Sequence, residues 1–268
     1  MVSHNGLGDN LFMNGALNFI KLFYKNVYFL CKNKYYENVQ LFFDETSNII
    51  CLPFNEDNEI NEIYKIIIDK YNDKNIDIFV CGDCHKCYLK SKITNKTFLN
   101  YKKIDKHYTI ECSSINNNNY SFIENFYKDI SLNLTYFYEY FDLPHNDLSK
   151  QLYDSVSHYY LIFIQCISSV GKVLNISNLI NKYVNDDKAL IICNDKNLYD
   201  KDDKKYDLAQ KFVLNKIVYY VDTIKNSDEI YLIDSCFLGI VLPFIKMNKL
   251  KTKNVKIILR DEVDKCII

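Results

Sequence analysis

Short apolar runs alternate with helix-patterned stretches from one end of this chain to the other, and that alternation restricts the fold more than any other feature. Residues 27–31, 48–52 and 76–80 read as buried strands, the second stopped by Pro53 and the third ending at Gly82. Between them, 33–43 looks helical. Residues 59–71 carry Ile60, Ile63, Tyr64, Ile67 and Ile68 at the spacing of an amphipathic helix. The pattern blurs between 84 and 119, where 107–112 is one more candidate strand. A helix is expected over 121–130, with Glu124 placed as in a capping box. After an aromatic run at 136–141 and a junction at 144–157, the alternation restarts. Strands are expected at 159–164, 189–193, 217–221, 229–233 and 255–259. Helices are expected around 176–183, 208–215 and 235–250, the last kinked near Pro243, and 195–207 reads as a solvated loop.

Near-continuous apolar strands separated by helices predict parallel sheets flanked by helices. A chain of 268 residues divides naturally into two such domains, expected at 1–150 and 151–268. Hydrophobic residues make up 48% of the chain, enough for real cores. The net charge is −1, and Arg260 is the lone arginine, which argues against a nucleic-acid partner. No run approaches the ~18–20 apolar residues of a transmembrane helix, and Met1 leads straight into a glycine turn with no room for a signal peptide. A cytoplasmic protein with reduced thiols is therefore expected, and the sequons at Asn95, Asn133 and Asn175 carry no weight. The abundance of Asn, Lys, Ile and Tyr is read as the mark of an AT-rich genome.

Three strand-to-helix turns carry candidate chemistry. In the first, the extended start meets His4-Asn5-Gly6-Leu7-Gly8-Asp9-Asn10, with three of the six glycines (Gly6, Gly8, Gly15) inside fifteen residues. Strand, glycine turn and helix bring backbone N–H groups to a ligand, and such a turn would hold Asp9 exposed through glycine flexibility. The second turn, Gln165 to Lys172, offers Ser168, Ser169, Gly171 and Lys172, a set suited to a phosphate, although the Walker spacing is missing. An ordinary loop with a capping serine remains open. In the third, Asp234-Ser235 stands where a buried strand meets a helix start, as a ligand contact or a simple N-cap. Cys81-Gly82-Asp83-Cys84-His85-Lys86-Cys87 could bind zinc, but no second pair follows at suitable spacing, and Cys81 also suits a strand core. No metal is assigned. A dehydrogenase is disfavoured because Gly6-Leu7-Gly8 lacks the third glycine of the dinucleotide fingerprint.

Together these positions resemble the heptosyltransferase-like glycosyltransferases of the GT-B fold, the ADP-heptose:lipopolysaccharide heptosyltransferase family. That family opens with a strand, a turn ending Leu-Gly-Asp and a helix, matched here by Leu7-Gly8-Asp9. It carries a Ser/Lys loop in the second domain, matched by Ser168, Ser169 and Lys172, and Asp-Ser/Thr-Gly-x-x-His near the C-terminus, matched by Asp234-Ser235. Cys236 replaces the motif glycine, and Gly239 stands where the family has histidine. The resemblance implies two Rossmann-like domains with a cleft between them, and inverting transfer of a sugar from a nucleotide sugar to an acceptor hydroxyl without metal or other cofactor. It implies Asp9 as the base, His4, Asn5, Gly6, Gly8 and Asn10 as the acceptor-side loop, and Ser168, Ser169, Lys172, Asp234 and Ser235 around the donor. An inactive nucleotide- or sugar-binding protein of the same fold, or a zinc-stabilised interaction protein built on Cys81, Cys84, His85 and Cys87, are the alternatives.

Overall fold

The computed structural model describes residues 1–3, 6–71, 76–81, 99–101 and 121–268. The chain forms two compact units, Met1–Pro144 and His145–Ile268.

In the first unit, β1 (Val27–Lys32) and β2 (Ile49–Phe54) pair in parallel, and so do β3 (Ile76–Ile78) and β4 (Leu99–Tyr101). Val2 joins the two pairs through parallel bridges to Leu30 on one side and Val80 on the other. The Val2 amide donates to the Phe79 carbonyl at 2.8 Å, and the Val2 carbonyl accepts from the Cys81 amide at 2.8 Å. Across the sheet the order is β2, β1, the Val2 segment, β3, β4. The first segment therefore lies in the middle, which is the Rossmann order. Pro53 does not stop β2 as expected. It pairs opposite Cys31 in a strand that runs on to Phe54, and β2 lies outermost, where a missing N–H breaks no ladder.

Helix α4 (Glu59–Tyr71) spans the stretch its apolar stripe predicts. Ile63 and Ile67 are buried in one cluster with Val2, Leu30, Leu52, Phe54, Ile78 and Val80. Each such isoleucine contributes ~1.5–3 kcal/mol of burial. The expected helix at 33–43 is a 3-10 turn, the short α3 (Tyr36–Val39) and a second 3-10 turn. The helix after the glycine turn comes in two pieces, α1 (Leu7–Phe12) and α2 (Asn14–Ile20). Tyr127, on α5 (Ser121–Asp129), plugs the break: its buried hydroxyl donates to the Phe12 carbonyl at 2.8 Å and accepts from the Ala16 amide at 3.2 Å. Gly15 lets α6 (Thr135–Glu139) approach α2 closely, since a Cβ there would stand 2.4 Å from the Tyr136 carbonyl oxygen.

In the second unit, α7 (Asp147–Asp154) is capped by the Asn146 side chain, which accepts from the Ser149 amide at 3.0 Å. A four-stranded parallel sheet follows in the order β6-β5-β7-β8. Its strands are β5 (Tyr160–Gln165), β6 (Ala189–Cys193), β7 (Glu229–Ile233) and β8 (Val255–Ile258). Helix α8 (Ser177–Tyr183) connects β5 to β6, and α9 (Tyr206–Gln210) and α10 (Val221–Asn226) lead on to β7. The strand expected at 217–221 is absent: Ile217–Tyr220 is a 3-10 turn running into α10, with Ile217, Val218, Tyr220 and Val221 buried in the core. Helix α11 (Leu238–Lys246) contains Pro243 and begins three residues later than expected.

Candidate active site

Both sheets have a point where the strand order reverses, and the loops leaving the carboxyl ends of the two strands there diverge. In open α/β sheets this is where ligands bind. In the first unit it lies between the Val2 segment and β3, so the turn after Ser3 leaves from it. In the second it lies between β5 and β7, so the Gln165–Lys172 and Asp234–Ser235 turns leave from it.

The first turn differs from the expected exposed loop. Helix α1 starts at Leu7, so Gly8 and Asp9 are helical. Asp9 lies in the first helical turn, half-buried, with Oδ2 accepting from the Gly6 amide at 2.9 Å. Among the described residues, its Oδ1 has no partner. Gly6 is extended (φ −77°, ψ 158°) and needs no left-handed freedom. What it provides is room: a Cβ at Gly6 would stand 2.6 Å from Asp9 Oδ2. Asn10 is buried and takes no exposed place in the turn. Its Nδ2 donates to the Gly6 carbonyl at 2.9 Å, and its Oδ1 accepts from the Ser3 hydroxyl at 3.1 Å. His4 and Asn5 lie outside the described residues, as do Cys84, His85 and Cys87. Cys81 itself is buried in the sheet.

The second turn is a tight loop. Gly171 has φ +79°, the left-handed conformation that favours glycine, and its amide donates to the Ser168 carbonyl at 2.9 Å. Ser168 is buried, with Oγ accepting from the Lys172 amide at 3.0 Å, so its hydroxyl braces the loop. Ser169 is exposed. The Lys172 ammonium reaches Asp264 Oδ2 at 2.9 Å in an exposed ion pair, the kind worth ~0–1 kcal/mol and readily exchanged for another anion.

At the third turn, Ser235 is buried and donates to Gln165 Oε1 at 3.1 Å. Gln165 Nε2 in turn donates to the Ile167 carbonyl at 3.1 Å and to Asp195 Oδ1 at 3.2 Å. Asp195 Oδ2 accepts from the amides of Cys166 at 2.7 Å and Ile167 at 3.0 Å. The network spans the carboxyl ends of β7, β5 and β6. Asp234-Ser235 is not an N-cap, because α11 starts at Leu238 after a turn. Arg260, just past β8, donates from Nε to the Asp234 carbonyl at 3.1 Å and stands 3.4 Å from Asp234 Oδ2. Burial pushes the Asp234 carboxyl above its usual range, Arg260 pulls it back and Asp261 adds to the rise.

Sequence reasoning passed over Arg260 as a candidate site residue, and Gln165 and Asp195 as the residues that brace the turns. Their common signal is position, each at or within two residues of the carboxyl end of a strand. The second unit thus brings two cations (Lys172 and Arg260), the exposed Ser169 hydroxyl and the start of α11 to the side where an anionic ligand would bind. Ser235, expected as a ligand contact, is instead buried with its hydroxyl given to Gln165.

No protein-family model matches the chain, and no curated protein matches it. Its fold is similar to the crystal structure of the glycosyl transferase family 9 protein from Veillonella parvula DSM 2008. The TM-score is 0.56 and the identity 10%, covering 100% of this chain and 88% of that one. The shared fold is the α/β GT-B type, with parallel sheets flanked by helices. Among the described residues, no helix is long and apolar enough to cross a membrane.

Proposed function

We propose that the chain is a glycosyltransferase that moves a sugar from a nucleotide-sugar donor to an acceptor hydroxyl, with inversion and without a metal in the chemical step. One observation carries the reading: the fold corresponds over the whole chain to that of a glycosyl transferase family 9 protein. The heptosyltransferase-like motifs of the sequence support it, because their residues stand at the carboxyl side of the sheets, where this fold type binds ligands.

In this reading the first unit takes the acceptor. Asp9 uses Oδ2 to cap its own helix and leaves Oδ1 to accept the proton of the attacking hydroxyl. The acceptor oxygen bonds to the anomeric carbon as the bond from that carbon to the diphosphate breaks, and the nucleoside diphosphate leaves with the bonding electron pair. The second unit takes the donor. Lys172 exchanges Asp264 for a phosphate, Arg260 offers its terminal guanidinium nitrogens, and Ser169 adds a hydroxyl contact, which together stabilise the leaving charge. Ser235, its hydroxyl held by Gln165, braces the turn beside them. A carboxylate beside a diphosphate would repel it, and the Arg260 guanidinium next to Asp234 offsets that charge.

Asp9→Asn is the direct test. The amide oxygen can still accept from the Gly6 amide, so the helix start is preserved while the base is lost. Transfer should fall by ~10²–10⁴-fold, with nucleotide-diphosphate affinity unchanged by calorimetry. Undiminished transfer in Asp9→Asn would remove Asp9 from the reaction. A wild-type chain that neither binds nor turns over any nucleotide sugar would overturn the whole reading.

A further inference from the structure

The sheet of the second unit holds a cluster that the proposed transfer does not use. Cys166 is the first residue after β5, Cys193 the last of β6, and Asp195 lies two residues further on. The two sulfurs are 3.7 Å apart, Cys193 Sγ is 3.9 Å from Asp195 Oδ2, and the three potential ligand atoms lie within 4.8 Å of one another. Both cysteines are free thiols, with Cys166 1% and Cys193 2% exposed.

These spacings are close to those a tetrahedral zinc ion imposes. Two sulfurs each ~2.3 Å from zinc at the tetrahedral angle stand ~3.8 Å apart, and a sulfur and a carboxylate oxygen ~3.6 Å apart. The sulfur pair therefore needs almost no movement. The carboxylate is a few tenths of an ångström too far from Cys193 Sγ and, at up to 4.8 Å from Cys166 Sγ, has at most about 1 Å to close there. The carboxylate is aimed by further partners, as metal-ligating carboxylates are: the Cys166 and Ile167 amides on Oδ2 and Gln165 Nε2 on Oδ1. Asp195 is half-buried, which gives an ion a way in past it. Two thiols among three donors select a thiophilic ion over magnesium or calcium, which prefer oxygen.

We propose that Cys166, Cys193 and Asp195 form a binding site for one zinc ion, separate from the Cys81–Cys87 motif of the first unit. On binding, each thiol gives its proton to water and each thiolate bonds to the metal. The carboxylate supplies a third ligand, and a water keeps the fourth position. The ion ties the carboxyl end of β5 to that of β6 and takes no part in the transfer.

Zinc(II) titrated into the full-length, chelator-stripped, reduced protein should bind at one equivalent and raise the melting temperature by mass action. Cobalt(II) in its place should give thiolate-to-metal charge-transfer absorption. Both signals should persist in the Cys84→Ser/Cys87→Ser double variant and vanish in Cys166→Ser/Cys193→Ser. Gln165→Ala, which removes the bond that aims Asp195 Oδ1 together with those to Ser235 and the Ile167 carbonyl, should weaken zinc by ~10–100-fold. Should the Cys166→Ser/Cys193→Ser protein fail to fold, the wild-type titration and Gln165→Ala decide. A folded wild type that binds neither ion overturns the proposal. So does metal that follows Cys84 and Cys87 instead, or a Cys166–Cys193 disulfide in protein purified under reducing conditions.

Discussion

Asn14 offers the sharpest test of what holds in place the helix pair that carries the candidate base, Asp9. It is buried, and its side chain makes four hydrogen bonds. Nδ2 donates to the carbonyls of Phe42 at 3.1 Å and Asp142 at 2.9 Å, and Oδ1 accepts from the Asp142 amide at 2.9 Å and Asn18 Nδ2 at 3.1 Å. Leucine has nearly the same shape and none of these partners. Asn18 would keep the Asp142 carbonyl, at 3.3 Å. The Asp142 amide and the Phe42 carbonyl would have no partner among the described residues. Each such orphan costs ~1–3 kcal/mol, and the apolar surface leucine adds returns ~1–2 kcal/mol. A net loss of ~3 kcal/mol is expected for Asn14→Leu. Because the chain has two units, a single unfolding free energy is poorly defined, so the loss is best read locally. Hydrogen exchange by mass spectrometry should show peptides covering 7–20 and 135–143 exchanging roughly a hundredfold faster, with peptides covering 160–165 unchanged. A change below about tenfold in the first set, or an equal change in both, would refute the clamp.

Lys205 is 2% exposed and donates to the carbonyls of Val184, Asp186 and Ala189 at 2.8, 3.0 and 3.3 Å, a cation at the carboxyl end of α8. Lys205→Met should cost ~3 kcal/mol, seen as a calorimetric melting transition several degrees lower, and an unchanged transition would contradict this role. Glu229, with a side chain 6% exposed, accepts from the hydroxyls of Tyr183 at 2.6 Å, Tyr231 at 2.6 Å and Tyr160 at 2.9 Å. Burial alone would raise its carboxyl, but the tyrosine bonds and Lys182 outweigh it and hold it below the ordinary 4.5. A depressed folded value stabilises the protein above pH 4.5, and that contribution is lost as pH falls through the folded value. Glu229→Gln should therefore flatten the acid limb of stability below pH 4.5 in urea melts, and a limb as steep as wild type would reject the assignment. Lys172→Ala and Arg260→Ala should each weaken nucleotide-diphosphate binding by about tenfold in calorimetry; unchanged affinity in either variant removes that residue from the donor site.

What the sequence revealed and what it concealed both follow from physics that can be named. The strands at 160–165, 189–193 and 229–233 were legible because parallel strands covered on both faces read as unbroken apolar runs. The same signal misled at 217–221: five apolar or aromatic residues in a row suit a strand, but a short helix start buried on most sides, with only Tyr219 partly exposed, gives the identical pattern, and periodicity cannot separate the two over so short a window. Asn14 and Asn18 were hidden for a different reason. With Asn10, which was expected on the acceptor-side loop, they are spaced four apart and form a buried polar stripe along α1 and α2, yet in a chain so rich in asparagine Asn14 and Asn18 looked like composition. Buried amides are tolerated there because their donors and acceptors find backbone groups of Gly6, Phe42 and Asp142. Glycine showed the deepest gap between motif and cause. Gly6 and Gly8 suggested a flexible loop presenting Asp9, whereas Gly6 is ordinary extended backbone whose missing Cβ leaves space for the Asp9 carboxylate. The candidate base is therefore held by a helix cap and not by a loop, which fixes Oδ2 on the Gly6 amide and leaves Oδ1 as the oxygen able to take a proton. Any side chain larger than hydrogen at position 6 would have to displace that carboxylate. Gly6→Ala should accordingly cost transfer through Asp9 geometry even though alanine fits the backbone conformation of residue 6 without strain.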